Sequence, residues 1–216
     1  MRLRNQGSRT STLNIVGANN RLYFRNPSAI NAIEAEFVVK KLTVLGCEAA
    51  QNPNYTRIRP TMIDLCTFND GSSAKPGDST GDYFMRIQTN REAYSTDPEG
   101  VLTVGALLYR CFDPACAAAY STYPNFNPDI GKVRVGQKFT LRVIWDAANY
   151  QFRVGLNCNP DVVFAYDPSL AQGPPGFPVQ SIKLSPVVGN CVASPTEADA
   201  EINVGRIRTN VSAIIP

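Results

Sequence analysis

Apolar and polar residues alternate along most of this chain of 216 residues. The clearest run lies between residues 33 and 39, where the apolar positions on one face are Ile33, Ala35, Phe37 and Val39. No segment keeps an i, i+3, i+4, i+7 spacing of apolar residues over three helical turns. Because a period of two is the pattern of a half-buried strand, the chain is predicted to be all-β.

Seven further strands are predicted from the same pattern. They span residues 55–68, 82–89, 101–112, 138–145, 150–156, 179–188 and 198–208. In the first strand the apolar positions change phase between Val39 and Leu42, which predicts a bulge or a strand end buried on both faces. Eight or more strands of this length favour two packed sheets, that is, a β-sandwich.

Residues 138–157 show the clearest hairpin, because two alternating runs flank the short polar-ended loop 146–149. Two longer segments, 69–81 and 157–178, are rich in glycine, proline and aspartate and are predicted to be loops. Neither shows a change of composition on its two sides. We therefore predict a single domain over residues 1–216, in which residues 1–20 form a loosely ordered segment.

Composition excludes several classes of function. Hydrophobic residues make up 44% and charged residues 18%, which is globular rather than disordered. The formal net charge of +3 is small and evenly spread, so a nucleic-acid partner is not expected. The chain has no histidine, which excludes Ser-His-Asp and Cys-His nucleophiles and histidine-ligated zinc.

Six cysteines without a CxxC pair indicate disulfides rather than a metal site. Cys111 and Cys116 are predicted to bond to each other, because four intervening residues allow a tight turn. If the last strand pairs with residues 33–45, Cys191 falls near Cys47, and these two form the second predicted pair. Disulfides favour a secreted, periplasmic or cell-surface protein. No apolar run is long enough to span a membrane.

Several motifs resemble the concanavalin A-like lectins and glucanases. The hairpin KFTLRVIWDAANYQFRVGLN at 138–157 is similar to one found in those domains, and ADAEINVGRIRTN at 198–210 is similar to their final strand. TFNDG at 67–71, GDYFMRIQ at 81–88 and RCFDPAC at 110–116 resemble secreted bacterial sandwich proteins without an assigned activity. The resemblance implies an antiparallel jelly roll of two sheets, but no particular activity.

The glucanase resemblance also implies a catalytic interpretation of one strand. Glucanases of this superfamily carry an E-x-D-x-E strand, and here Glu197, Asp199 and Glu201 have that spacing. The alternative is that these carboxylates form the solvent face of a strand whose other face is core. The motif opens the last strand here, whereas in the family it lies mid-chain, so we expect the solvent-face interpretation to hold.

Two loops carry candidate binding residues. Asp70, Asp78 and Asp82 offer oxygen ligands that suit Ca²⁺, but turn formation is enough to explain them, so no cofactor is expected. A second loop carries three aromatic residues where no core pattern requires them: Tyr120, Tyr123 and Phe126. Exposed aromatic side chains mark binding surfaces, and packing over a sheet edge is the alternative.

The sequence thus predicts a non-catalytic module of the recognition or structural kind. Its partner would be a glycan or an extracellular protein. A carbohydrate-binding, lectin-like module is the first alternative, and a glycoside hydrolase that uses the E-x-D-x-E strand is the second. The ligand and the oligomeric state do not follow from the residues.

Overall fold

The structure is a computed structural model of the chain. It describes residues 2–9, 16–17, 20–46, 56–73, 75–116, 119–121, 130–188 and 196–211.

The described residues form fourteen strands and three short 3-10 turns. The strands are β1 (Arg2–Arg9), β2 (Val16–Gly17), β3 (Asn20–Tyr23), β4 (Ala32–Leu45), β5 (Arg57–Asn69), β6 (Asp82–Glu92), β7 (Val101–Cys111), β8 (Ala119–Ser121), β9 (Gly131–Arg134), β10 (Lys138–Asp146), β11 (Gln151–Leu156), β12 (Val162–Ala165), β13 (Gln180–Val188) and β14 (Thr196–Thr209). The turns are Pro27–Ala29, Ala147–Asn149 and Pro168–Leu170.

These strands make two antiparallel sheets. The six-stranded sheet has the order β1-β14-β4-β10-β11-β12. The eight-stranded sheet has the path β2-β13-β5-β6-β7-β8, to which β3 adds by pairing with β13 and β9 by pairing with β7. The predicted all-β sandwich of two antiparallel sheets is confirmed. Among the described residues, no helix is long and apolar enough to cross a membrane.

The core lies between the sheets and follows the predicted alternation. In β4, the side chains at 33, 35, 37 and 39 are all fully buried. The phase change beyond Val39 is a bulge: Glu201 of β14 pairs with Lys41, whereas Ile202 pairs with Val39, so Lys40 is the extra residue. One inserted residue moves the following side chains to the opposite face.

An aromatic cluster fills the core near one end of the sandwich. The Phe68 ring lies 5.1 Å from that of Tyr83 and 4.7 Å from that of Tyr166, centroid to centroid. Trp145 and Phe152, from the predicted hairpin, complete the cluster. Trp145 Nε1 donates a hydrogen bond of 2.8 Å to the Tyr166 hydroxyl, which satisfies both polar groups.

The chain connections confirm two predictions. The consecutive strands β4 and β5 do not form a hairpin with each other, because they belong to different sheets. The predicted hairpin of β10 and β11 is present, with Asp146 opposite Gln151 at its turn. The last strand, β14, pairs with β4 as assumed for the second disulfide. In the first twenty residues, where loose order was expected, Arg2–Arg9 pairs with β14 as a strand.

The disulfide between Cys111 and Cys116 is present, with a Cα–Cα distance of 4.9 Å. Cys47 and Cys191 lie outside the described residues, so their pairing stays a prediction. The other two cysteines have free thiols, Cys66 in a buried position and Cys158 in an exposed one.

The two predicted loops are joined to each other by backbone hydrogen bonds. Asn69 N donates to Gly173 O at 2.9 Å, and Gly77 N donates to Gly176 O at 2.7 Å. Gly176 N also donates to the Asp82 carboxylate at 2.7 Å. Because these hydrogen bonds link residues 69–81 to residues 157–178, the two segments form one wall where β5 ends and β6 begins. We refer to them as the joined loops.

The contact at Gly176 leads to a stability prediction. A Cβ atom at this position would lie 2.0 Å from the Asp78 carbonyl oxygen, whereas one at Gly173 would meet nothing within 4 Å. We expect Gly176→Ala to lower the free energy of unfolding by about 1 to 3 kcal/mol, as overpacking does. Gly173→Ala, the matched control, is expected to change it by less than about 0.5 kcal/mol. Urea unfolding measures both, and equal effects would contradict the loop contact.

Candidate functional site

A cavity of about 520 Å³ opens on the outer face of the eight-stranded sheet, and we refer to it as the outer pocket. Its polar walls combine cations, carboxylates and aromatic rings. The described residues that line it are Arg21, Tyr23, Arg57, Arg59, Asp64, Cys66, Ser79, Asp82, Phe84, Arg86, Tyr109, Cys111, Ala115, Cys116, Phe177, Val179 and Lys183.

Strand alternation places the charged floor of the outer pocket. Asp64, Arg86 and Lys183 each lie between two core residues, on β5, β6 and β13 respectively. With a period of two, side chains flanked by core residues point to the opposite face. In the register, Asp64 lies directly opposite Arg86, and Lys183 lies opposite Met62, two residues along β5. These three side chains, here called the Asp64 cluster, therefore meet on the outer face.

The Asp64 cluster has one carboxylate for two cations. Arg86 donates from Nε to Asp64 Oδ1 at 2.6 Å and from Nη2 to Oδ2 at 3.2 Å. The Lys183 ammonium group also pairs with Oδ2 of Asp64. Asp64 and Lys183 are only 2% and 6% exposed. The floor of the outer pocket is thus a buried group of charges with a formal surplus of one positive charge.

Charges within the Asp64 cluster reverse the effect of burial on the pKa of Asp64, whereas for Lys183 they only oppose it. Burial by itself would raise the pKa of Asp64, but the charges of Arg86 and Lys183 outweigh it and hold this pKa well below its ordinary value. Burial lowers the pKa of Lys183, and the Asp64 carboxylate works against that shift. Asp64 therefore stays ionised in the folded protein at neutral pH.

Two stacked rings flank the Asp64 cluster. Phe84 of β6 and Tyr109 of β7 lie opposite each other in the register, with ring centroids 5.1 Å apart. The Arg86 guanidinium carbon lies 5.4 Å from the Phe84 centroid and 4.9 Å from that of Tyr109. Cation–π attraction and the bidentate pair with Asp64 together fix the orientation of Arg86.

The rim of the outer pocket carries exposed rings. Tyr23 on β3 is 46% exposed, and Phe177, from the joined loops, is 52% exposed. Arg21 Nη1 donates to the Tyr23 hydroxyl at 3.0 Å. Phe177 is held in place because its backbone N–H donates to the Asp82 carboxylate at 2.9 Å.

A disulfide and a buried thiol also line the outer pocket. The turn closed by Cys111 and Cys116 contributes Ala115 to the wall, and Ser79 N donates to Pro114 O at 3.0 Å. Burial raises the pKa of the Cys66 thiol, and the Asp82 charge raises it further. A thiol that stays protonated is a poor nucleophile, which argues against a nucleophilic role for Cys66.

The E-x-D-x-E residues lie on the other side of the sandwich. Ala198 and Ala200 of β14 enter the core, so Glu197, Asp199 and Glu201 lie on the outer face of the six-stranded sheet. That face was expected to be exposed, and for Asp199 this is wrong. Asp199 is fully buried and forms an ion pair with Lys41 at 2.5 Å. β14 is an inner strand, flanked by β1 and β4, and β4 supplies the Lys41 partner of Asp199.

The three candidate calcium ligands act separately. Asp70 accepts a hydrogen bond from Arg110 Nε at 2.6 Å, and Asp78 accepts one from Thr80 N at 2.9 Å. Asp82 accepts three N–H bonds, one of them from Asn69 Nδ2 at 2.7 Å. Within the described part of the chain, no group of three potential metal ligands is found. Each carboxylate thus shapes the joined loops, and a calcium ion stays an untested alternative.

The predicted aromatic ligand-binding residues are described only in part. Tyr120 lies on β8, at the edge of the eight-stranded sheet, with its backbone opposite Arg110 of β7. Tyr123 and Phe126 lie outside the described residues. Their role in binding stays a prediction.

Sequence reasoning missed the charged floor of the outer pocket. A usable signal existed, because a charged residue flanked by two apolar residues occurs at 64, 86 and 183 in three predicted strands. The pattern alone predicts only that each charge faces away from the core. It takes the strand order to bring β13, β5 and β6 side by side.

No protein-family model matches the chain, and no curated protein matches it either. One solved structure similar to this chain is a tetrameric galectin from the ball sponge Cinachyrella sp.. The sequence identity is 14%, the match covers 89% of this chain and 99% of the galectin, and the TM-score is 0.33. A second is a laminarinase from Flavobacterium sp. UMI-01, with 13% sequence identity. The match covers 82% of this chain and 67% of the laminarinase, and the TM-score is 0.37.

A third similar structure is the carbohydrate-binding module CBM66 from Bacillus subtilis, with 13% identity, coverage of 92% of this chain and 83% of that chain, and a TM-score of 0.31. These are proteins of the lectin and glucanase kinds that the sequence resemblance names. At such identities and TM-scores, nothing about a ligand or an activity follows from the likeness.

The Asp64 cluster leads to a prediction about stability. Asp64→Asn is expected to lower the free energy of unfolding by about 3 to 5 kcal/mol, because two buried cations would lose their carboxylate. Lys183→Met is expected to change it by less than about 1 kcal/mol, since Asp64 keeps both bonds to Arg86. Urea unfolding followed by circular dichroism measures both.

The control for this comparison is Asp97→Asn, which breaks an ion pair with Lys132 at the surface. Exposed pairs contribute about 0 to 1 kcal/mol, so this variant should resemble the wild type. If Asp64→Asn costs no more than Asp97→Asn, the floor of the outer pocket is not the buried charge cluster described above.

The same carboxylate predicts a pH dependence. Because folding holds the pKa of Asp64 below its ordinary value of 3.8, the unfolded state takes up the proton first. Its contribution to stability is therefore complete above about pH 5 and is lost as the pH falls below about 4. Urea unfolding is measured between pH 6 and pH 3 in steps of about half a pH unit. As the pH falls, the free energy of unfolding should decrease less in Asp64→Asn than in the wild type. Parallel curves would contradict this assignment.

Proposed function

We propose that this protein is a recognition module that binds a saccharide in the outer pocket without chemical conversion. One observation carries this proposal: exposed rings at the rim adjoin a floor of fixed hydrogen-bond donors. Sugars present C–H faces that pack on aromatic rings and hydroxyls that need polar partners, and the outer pocket supplies both. Tyr23 and Phe177 would contact the sugar ring, and Arg21 would donate to its oxygens.

The carboxylates of the outer pocket support binding rather than hydrolysis. Glycoside hydrolysis needs a carboxylic acid that stays protonated near neutral pH beside a second carboxylate. Asp64 has a lowered pKa, the opposite of what a general acid requires. The carboxylate of Asp82 is engaged by three N–H donors. The E-x-D-x-E strand lies on the opposite outer face of the sandwich, away from the rings at 23 and 177.

A location in an oxidising compartment forms part of the proposal. The disulfide between Cys111 and Cys116 is of the kind that persists in secreted, periplasmic or cell-surface proteins and is rare in the cytosol. Such a location also gives a saccharide-binding module access to extracellular glycans.

The proposal is tested with a glycan array that holds neutral and acidic saccharides. Binding to at least one saccharide is expected. Tyr23→Ala and Phe177→Ala should each weaken it by about 5- to 30-fold, which corresponds to roughly 1 to 2 kcal/mol for an aromatic anchor. Both side chains are exposed, so neither change disturbs the core. Isothermal titration calorimetry with the best saccharide gives the affinities.

Tyr150→Asn is the matched control, because Tyr150 is 45% exposed and lies outside the outer pocket. Asparagine tolerates the left-handed backbone found there, with φ 52°. Tyr120→Ala and Tyr123→Ala test the loop that carries the candidate binding residues named from the sequence. Loss of binding in those two variants, with Tyr23→Ala and Phe177→Ala unaffected, would move the site to that loop.

A turnover assay on the same saccharides separates binding from catalysis. No cleavage is expected from the wild type. Cleavage that disappears in Glu197→Gln or Glu201→Gln would overturn the non-catalytic part of the proposal in favour of hydrolysis on the other sheet.

A further inference from the structure

We infer that the saccharide bound in the outer pocket is acidic, and that its carboxylate or sulfate group lies over the Asp64 cluster beside Arg21. This inference rests on the proposed function, because it specifies the ligand of that same site.

The first support is the charge of the lining. Of the described residues that line the outer pocket, five are cations: Arg21, Arg57, Arg59, Arg86 and Lys183. Two are carboxylates, Asp64 and Asp82. A third carboxylate, Glu92, lies directly opposite Arg57 in the register of β5 and β6. Arg57 and Arg59 have further contacts and are left out of the balance. Arg21, Arg86 and Lys183 against Asp64 and Asp82 leave a surplus of one positive charge around the Asp64 cluster. Such a surplus attracts and retains an anion.

The second support is a pair of like charges on neighbouring strands. Arg21 of β3 lies directly opposite Lys183 of β13. Like charges in this position are unfavourable, and the side chain of Lys183 is only 7% exposed, so water screens it little. Asp64 carries a single negative charge, which Arg86 and Lys183 share through its two oxygens. An anionic group of the ligand would supply the missing negative charge.

The third support is that cations and rings are adjacent. The Arg21 guanidinium carbon lies 6.0 Å from the Tyr23 ring centroid, at the rim. On the floor, Arg86 lies against Phe84 and Tyr109. An inorganic anion would use only the cations, and a neutral sugar only the rings and hydrogen bonds. An acidic sugar has a C–H face and a charged group on the same ring, so it uses both.

The experiment compares matched acidic and neutral ligands by calorimetry on the full chain. Tetragalacturonate is set against its methyl ester, which has the same rings without the charge. Dextran sulfate oligosaccharide is set against dextran, so that the two arms distinguish a carboxylate from a sulfate. Polyglutamate of similar length provides the anionic charge without a sugar.

In at least one arm, the acidic ligand should bind at least about tenfold more tightly than its neutral match, since charge-assisted hydrogen bonds are roughly twice as strong as neutral ones. Raising NaCl from roughly 50 mM to 500 mM should weaken the acidic ligand and leave the neutral one unchanged.

Variants locate the anionic group. Arg21→Gln, at an exposed position, should weaken the acidic ligand by roughly tenfold and its neutral match much less, because glutamine can still donate a hydrogen bond to a sugar oxygen. Lys183→Met should also weaken the acidic ligand more than its neutral match, and its unfolding curve shows whether it is folded. Arg208→Gln is the control, because Arg208 is an exposed arginine paired with Glu34 on the six-stranded sheet.

Each outcome separates the two proposals. Equal binding of the acidic and neutral ligands would overturn this inference and leave saccharide binding intact. Equal binding of polyglutamate and the acidic saccharide would show a general polyanion site and would also overturn it. Binding of none of the saccharides here, together with none on the array, would overturn the proposed function itself.

Discussion

The outer pocket depends on one buried carboxylate, that of Asp64. It holds two cations on the outer face of the eight-stranded sheet, Arg86 through two hydrogen bonds and Lys183 through an ion pair. Without it, β6 and β13 would place the positive charges of Arg86 and Lys183 on either side of β5 without this counter-charge. The orientation of Arg86 against the Phe84 and Tyr109 rings follows from this pairing. The polar floor is therefore a fixed arrangement, which is what selective binding of a small ligand requires.

The two faces of each strand have separate tasks. The inner faces of both sheets build one apolar core that includes the aromatic cluster around Phe68. The outer face of the eight-stranded sheet carries the charges and rings of the outer pocket. The joined loops close one end of it, held by Asp82 and by the close approach of Gly176 to Asp78. Because the core fixes the strand positions, the outer face of this sheet is free to carry polar groups.

The strands and the core follow from local alternation, and the sequence predicts them well. The bulge after Val39 and the hairpin of β10 and β11 were visible because each changes the pattern within a few residues. The short strands β2, β3, β8, β9 and β12 have two to four residues each, too few for a period to show. The Asp64 cluster was not foreseen because its members lie up to 119 positions apart in the chain, between residues 64 and 183. Only the order of strands in the sheet brings them together.

The central claim is that the outer pocket binds an acidic saccharide over the Asp64 cluster. A crystal structure of the protein grown with the tightest-binding acidic oligosaccharide tests it most directly. The account predicts a carboxylate or sulfate oxygen within hydrogen-bond distance, about 2.7 to 3.2 Å, of Lys183 or Arg21, with a sugar ring against Tyr23 or Phe177. A saccharide bound at another surface, with the outer pocket empty, would contradict the account.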